Sequence, residues 1–113
     1  MGLDPEHFAS LPPLRQEYVT QVVSLRYKVA KMRQAGMNSE QIARALSAER
    51  RALGVRYKDL TQANELQRIS ARNLNKYGDE LGPTIEYFRN VVGKTWEQII
   101  ESASKPGGAD LGY

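Results

Sequence analysis

The chain has 113 residues with 16 Lys and Arg against 13 Asp and Glu, a formal charge of +3, and that length holds one small domain rather than two. With 41% hydrophobic and 26% charged residues the composition is that of a folded globular domain and excludes a disordered one. It has no Cys and one His, His7, which excludes disulfides, thiolate zinc sites, a cysteine nucleophile, HExxH metalloproteases and a Ser-His-Asp triad made by this chain alone.

Residues 1–10 read as a leader of low structural content, without the basic and apolar regions of a signal peptide. Ser10 followed by Pro12 and Pro13 opens a helix, because proline near the first turn forfeits no intrahelical hydrogen bond. Leu14, Tyr18, Val22, Leu25, Val29 and Met32 lie on one stripe and carry that helix to about Gln34, with Gly36 as its left-handed end. Asn38 and Gln41 have capping-box spacing, and Ile42, Ala45, Leu46, Ala48, Ala52 and Leu53 extend a second helix to Gly54. Val55–Leu60 reads as a connector. Thr61 caps a third helix through Ala63, Leu66, Ile69, Leu74 and Tyr77, ended by Gly78. Gly82-Pro83 punctuates the chain before a short fourth helix of Ile85, Phe88, Val91 and Val92 that breaks at Gly93. Thr95 and Gln98 cap a fifth, with Trp96 as a core anchor, running to about Ser104 ahead of the Gly-rich tail 106–113.

No segment alternates as a half-buried strand does, and no apolar run approaches the roughly 20 residues that cross a bilayer. The expected fold is all-α: one domain over 11–105 of about five helices, the first long and the last two short, with no membrane association.

Positive charge is concentrated. Residues 25–60 hold nine bases and three acids, a local charge of +6, while the remainder sums to −3. Arg26, Lys28, Lys31, Arg33, Arg44, Arg50, Arg51, Arg56 and Lys58 all fall there. Such a run is either the solvated side of amphipathic helices or a phosphate-binding surface. Tyr27 and Tyr57 within it favour unpaired nucleotides, since aromatic rings stack on bases that a duplex keeps hidden. Tyr18 is the better core candidate, and His7 is expected at the surface.

In the second helix Ile42, Leu46, Glu49 and Leu53 are spaced four, three and four, which puts Glu49 on the apolar stripe. A buried carboxylate must be paired or have its pKa raised, and perturbed carboxylates serve as general acids and bases; Arg50, Arg51, Arg72 and Lys76 are candidate partners. The alternative is a purely structural ion pair between helices. Arg44, Ser47 and Arg51 align on a neighbouring face, where two guanidiniums flanking a hydroxyl suit a phosphate. Cleavage of RNA through its 2′-hydroxyl needs a base, an acid and cations for the phosphorane. Ser47, Glu49, Arg50 and Lys58 are the catalytic candidates on this reading, with Tyr57 as a second choice of acid. Arg44, Arg51, Tyr57, Arg72, Asn73 and Lys76 are the candidates for RNA or phosphate binding. No metal or cofactor is expected.

The runs Ile42–Gly54 (IARALSAERRALG), Arg56–Leu60 (RYKDL), Lys76–Ile85 (KYGDELGPTI) and Gly93–Ser104 (GKTWEQIIESAS), with Gly107-Gly108, resemble the small C-terminal toxin modules of bacterial polymorphic toxins, among them contact-dependent inhibition, Rhs and type VI effectors. The similarity covers most of 11–113. It implies an antibacterial ribonuclease, with tRNA a common target, secreted within a larger effector and acting in the target-cell cytoplasm. It also implies a cognate immunity protein as partner and an otherwise monomeric domain. Those modules usually carry a His-Ala-Glu-Arg-Arg run, and the matching residues here are Ser47, Glu49, Arg50 and Arg51 with serine in place of histidine. Either that serine disarms the domain or the chemistry does not depend on the imidazole.

Two other readings compete. Met32–Leu46 is similar to the first half of a DNA-binding helix-turn-helix, although no turn residue follows Leu46 until Gly54. A basic helical module that docks an acidic protein is the other.

Overall fold

The computed structural model describes residues 5–105. Its elements are α1 (Pro5–Ser10), α2 (Pro13–Ser24), a 3₁₀ turn (Leu25–Tyr27), α3 (Lys28–Gln34), α4 (Ser39–Lys58), α5 (Ala63–Tyr77), a π-helical turn (Tyr87–Val92) and α6 (Trp96–Ala103). The architecture is all-α, with no strand among the described residues.

The 20-residue α4 is the spine, and its two halves serve two clusters of buried side chains. Its N-terminal half gives Ile42, Ala43 and Leu46 to a cluster with Leu25 and, from α6, Ile99, Ile100 and Ala103. Its C-terminal half gives Tyr57 to a cluster with Tyr18, Val19 and Val22 of α2 and Ile69 of α5. Leu53 packs against both. Tyr18 and Tyr57 meet edge to face with ring centroids 5.4 Å apart, a favoured aromatic arrangement. Arg33 donates to Glu97 at 2.7 Å, and Ser39 donates to the same carboxylate, which ties α3 and the start of α4 to α6.

Local signals in the sequence place most helix ends. Both capping boxes form: Gln41 N donates to Asn38 Oδ1 at 2.9 Å, and Gln98 N donates to Thr95 Oγ1 at 3.1 Å. Gly36, Gly78 and Gly93 take the left-handed conformation, with φ of 86°, 74° and 78°, which only glycine adopts without strain.

Several elements depart from expectation. The long first helix is interrupted at Leu25–Tyr27, where the chain passes from one cluster to the other: Leu14 to Val23 pack in the first, Leu25, Val29 and Met32 in the second. The tighter 3₁₀ winding re-aims the apolar stripe between them. Gly54 does not end α4, and Val55–Lys58 is helix rather than connector. Burial of Gly54 and Tyr57 outweighs the ~1 kcal/mol that glycine costs in a helix interior. Thr61 is not the cap of α5, whose N-cap is Gln62; its hydroxyl donates instead to Tyr57 O at 2.6 Å.

In the fourth helical segment the wider π winding leaves Val91 and Val92 exposed, and Phe88 alone of that stripe reaches the second cluster. Trp96 packs there too, with Arg44 and Arg89 over its ring at 5.2 and 4.3 Å. Residues 5–10, expected to carry little structure, form α1, whose Phe8 packs against the first cluster while Gln16 Nε2 donates to Ala9 O and Leu11 O. The side chain of His7 and the tail 106–113 lie outside the described residues.

Candidate functional site

The polar residue on the inner seam of α4 is Arg50, not Glu49. Leu46, Arg50 and Tyr57 follow one helical line, and the Arg50 guanidinium reaches the end of α6, where Nη1 donates to Ser102 O and Lys105 O at 2.7 Å each and to Ala103 O at 3.4 Å. A helix ends on carbonyls that lack intrahelical donors, and a cation there satisfies them and complements the helix dipole. Arg50 is thereby a C-terminal clamp on α6. Glu49 lies to one side of the seam, its side chain 36% exposed, and pairs with Lys28 of α3 rather than with Arg50, Arg51, Arg72 or Lys76. Ile42, Leu46 and Leu53 of the expected stripe do pack inward, and Glu49 alone does not, because the line from Leu46 to buried Tyr57 passes through Arg50.

Residues two apart on a helix do not face each other, so Ser47 and Glu49 cannot present to one ligand. Ser47 instead shares its face with Arg51 and Lys58, four and eleven residues on. Opposite these two cations stands the turn after α5. Arg51 Nη2 donates to both Asp79 oxygens, at 3.1 and 3.0 Å, and Lys58 donates to Glu80. The turn is held from below: Leu81 N donates to Asp79 Oδ1 at 2.9 Å, and Asn73 Nδ2 donates to Glu80 O at 3.0 Å. Asn73 is buried at 1% exposure and accepts from Arg72 at 3.2 Å. Its inward direction was legible in the sequence, whereas its task as the strut under Glu80 was not.

This set gathers two cations and two carboxylates; Ser47 lies on the same side of α4, one turn before Arg51 and about 16 Å along the helix axis from Lys58. The Arg51 and Asp79 side chains are 34% and 27% exposed, open to solvent on one side, while Arg51 Nη1 is buried with no hydrogen-bond partner among the described residues.

The remaining candidates lie apart. Tyr57 is in the core at 1% exposure and donates to Glu17 at 2.8 Å; burial first, then the Glu17 carboxylate, pushes its phenol above the ordinary value. It therefore offers no face to a base and is no proton donor near neutral pH. Tyr18 is likewise core, its phenol raised by burial against the opposing pull of Arg50 and Arg15. Tyr27 is the exposed aromatic, 69% accessible, with Arg26 stacked 5.2 Å above it and Lys28 and Lys31 nearby in sequence. Arg44 pairs with Glu40 at 3.0 Å, and exposed Lys76 lies over the Tyr77 ring at 5.3 Å.

Asp79 and Glu80 were missed as site residues. The signal available was two carboxylates directly after a helix-ending glycine, in a segment already dense with hydrogen-bonding groups. Among the described residues no group of three His, Asp or Glu side chains could hold a metal ion, and no helix is long and apolar enough to cross a membrane. Helix α4 runs unbroken from Ser39 to Lys58, so the turn and second helix that the helix-turn-helix reading requires after Leu46 do not form. Compared with family models, curated proteins and solved structures, the chain matches none.

Proposed function

We propose that this chain is an antibacterial toxin domain that acts on RNA at the face formed by Ser47, Arg51, Lys58, Asp79 and Glu80. In this reading it is delivered within a larger secreted effector, works in the cytoplasm of the recipient cell, and is held by an acidic immunity protein. The supporting observation is the pairing of two α4 cations with two carboxylates of the 78–82 turn on the side of α4 that carries Ser47. The motif resemblance and the +6 charge of residues 25–60 agree with it.

The chemistry assigns itself by residue type. A carboxylate, Asp79 or Glu80, takes the proton of a ribose 2′-hydroxyl. Arg51 and Lys58 balance the charge of the phosphorane formed when that oxygen attacks phosphorus and the 5′-oxygen leaves. A serine hydroxyl is a poor proton carrier near pH 7, so with Ser47 the site binds RNA but transfers the leaving-group proton slowly. Imidazole at that position supplies the missing acid.

The test is Ser47→His assayed on total RNA and on tRNA, with growth followed on expression in a bacterium. A positioned acid or base contributes about 10²- to 10⁴-fold, so Ser47→His is expected to raise cleavage by at least about 10²-fold and to arrest growth. Adding Glu80→Gln or Asp79→Asn should remove the gain. A folded Ser47→His protein that neither cuts RNA nor slows growth overturns the proposal.

A further inference from the structure

Gly93 closes the π-helical turn in the left-handed conformation, and Lys94 N donates back to Phe88 O at 2.8 Å. That return brings Lys94 O to the Arg89 side chain, whose Nη1 donates to it at 3.1 Å. The Arg89 guanidinium is thereby fixed over the Trp96 ring, 4.3 Å from its centroid, well inside the roughly 6 Å within which a cation and an aromatic face attract. The neighbouring cations are matched by carboxylates: Arg33 pairs with Glu97 and Arg44 with Glu40. Lys94 lies over the Phe88 ring and donates to the Ser102 hydroxyl at 2.6 Å, while Glu101, which lies within its field, pairs with Lys105. Arg89 rests on a ring and a neutral carbonyl and makes no ion pair among the described residues.

Arg89 is exposed and Trp96 half-buried, so indole backs the guanidinium while solvent reaches its outer side. Guanidinium planes, like aromatic rings, take an unpaired base by stacking, whereas a duplex keeps the faces of its bases covered. The ordering of a long side chain, ordinarily a cost of binding, is already met here by the Trp96 contact and the Lys94 O bond. The charge selects the same class of partner, because the phosphates of a strand supply the anion that Arg89 lacks and accept its N–H groups in pairs. An acidic protein surface would answer that charge and leave the ring-backed plane unused. Position connects the stack to the Ser47 face: Arg44 also lies over Trp96, at 5.2 Å, and on α4 it stands one turn before Ser47, with Arg51 one turn after.

We infer that the Arg89–Trp96 stack is a subsite for one unpaired base of an RNA strand whose backbone continues past Arg44 to the Ser47 face. The inference rests on the reading of that face as an RNA site and needs no cleavage there.

The chain has a single Trp, so Trp96 emission reports on the subsite directly. The full chain is titrated at fixed ionic strength with a short 2′-O-methyl single strand, which cannot be cut through its ribose, and in parallel with its duplex, an all-abasic strand of equal length, and polyglutamate. The single strand should change Trp96 emission, and the other three should bind at least about fivefold more weakly, the lower end of what one stacked base contributes. Arg89→Gln should weaken the single strand by at least the same factor, and Arg89→Lys, which keeps the charge without the plane, should recover that loss only in part. Both variants change an exposed side chain, and the comparison among the four probes uses the unaltered chain. Emission unmoved by the single strand, a smaller gap to any of the other probes, or undiminished binding by Arg89→Gln overturns the subsite; polyglutamate binding as well as the single strand does would make the turn a docking surface for an acidic protein instead. The two proposals fail separately. Cleavage by Ser47→His with Trp96 silent removes the base subsite alone, and a Trp96 response that passes every comparison while Ser47→His cuts nothing removes the cleavage alone.

Discussion

Replacing Arg50 by alanine separates the structural reading of that residue from a catalytic one. Arg50 Nη1 makes two 2.7 Å bonds to Ser102 O and Lys105 O and a long one of 3.4 Å to Ala103 O. A hydrogen bond to a charged group is worth about 1.5–3 kcal/mol, and the long contact adds little. The carbonyls lie at a helix end and can partly rehydrate, so the expected loss is ~2–3 kcal/mol rather than the full sum of two bonds. Against a total of about 5–15 kcal/mol for a domain of this size, that is a large fraction, and it lowers Tm by roughly 10–15 °C.

Urea unfolding followed by far-UV circular dichroism reads the change as a lower midpoint at unchanged slope. Hydrogen exchange should show lost protection concentrated in α6. Arg50 also holds the Tyr18 phenol down, so Tyr18 should titrate still later in Arg50→Ala. Arg50→Lys keeps the charge without the fork and should recover part of the stability. An Arg50→Ala protein destabilised by less than about 0.5 kcal/mol, the size of an ordinary surface substitution, would refute the clamp and return Arg50 to the list of groups available for chemistry.

Alkaline titration followed by tyrosinate absorbance should show Tyr18 and Tyr57 ionising above the ordinary tyrosine value. Both phenols are raised chiefly by burial, so their contribution to stability is intact below about pH 10 and is lost as pH climbs through the folded-state values. Ionisation of Tyr18 and Tyr57 at the ordinary tyrosine value of about 10 while circular dichroism remains native would contradict this packing. On the acid side, the Ser39 hydroxyl and Arg33 hold the Glu97 carboxyl below the usual range. Its contribution is therefore present above the unfolded value of about 4.3 and disappears as pH falls through the lower folded value. Glu97→Gln should flatten the drop in urea midpoint between about pH 5 and pH 3, and an unchanged drop would show that the tie between α3, α4 and α6 carries no linkage.

Much of this protein was settled by local chemistry that any stretch of the chain carries with it. Asn38 with Gln41, Thr95 with Gln98, and the left-handed glycines 36, 78 and 93 place helix ends because each acts on backbone groups within a few residues of itself. The all-helical class follows from apolar spacing for the same reason. Tyr18 as core and Asn73 as an inward polar group were legible on that basis too.

What only the folded chain decides is where one helix meets the next. Gly54 ought to stop α4 by propensity, yet Tyr57 finds a pocket between α2 and α5 and carries the helix four residues further. That same turn rotates the buried seam onto Arg50, moves Glu49 out to Lys28, and brings Arg51 and Lys58 against Asp79 and Glu80. Periodicity ranks the faces of a helix only to within about one residue, or 100°, and which neighbouring face is buried depends on partners distant in sequence.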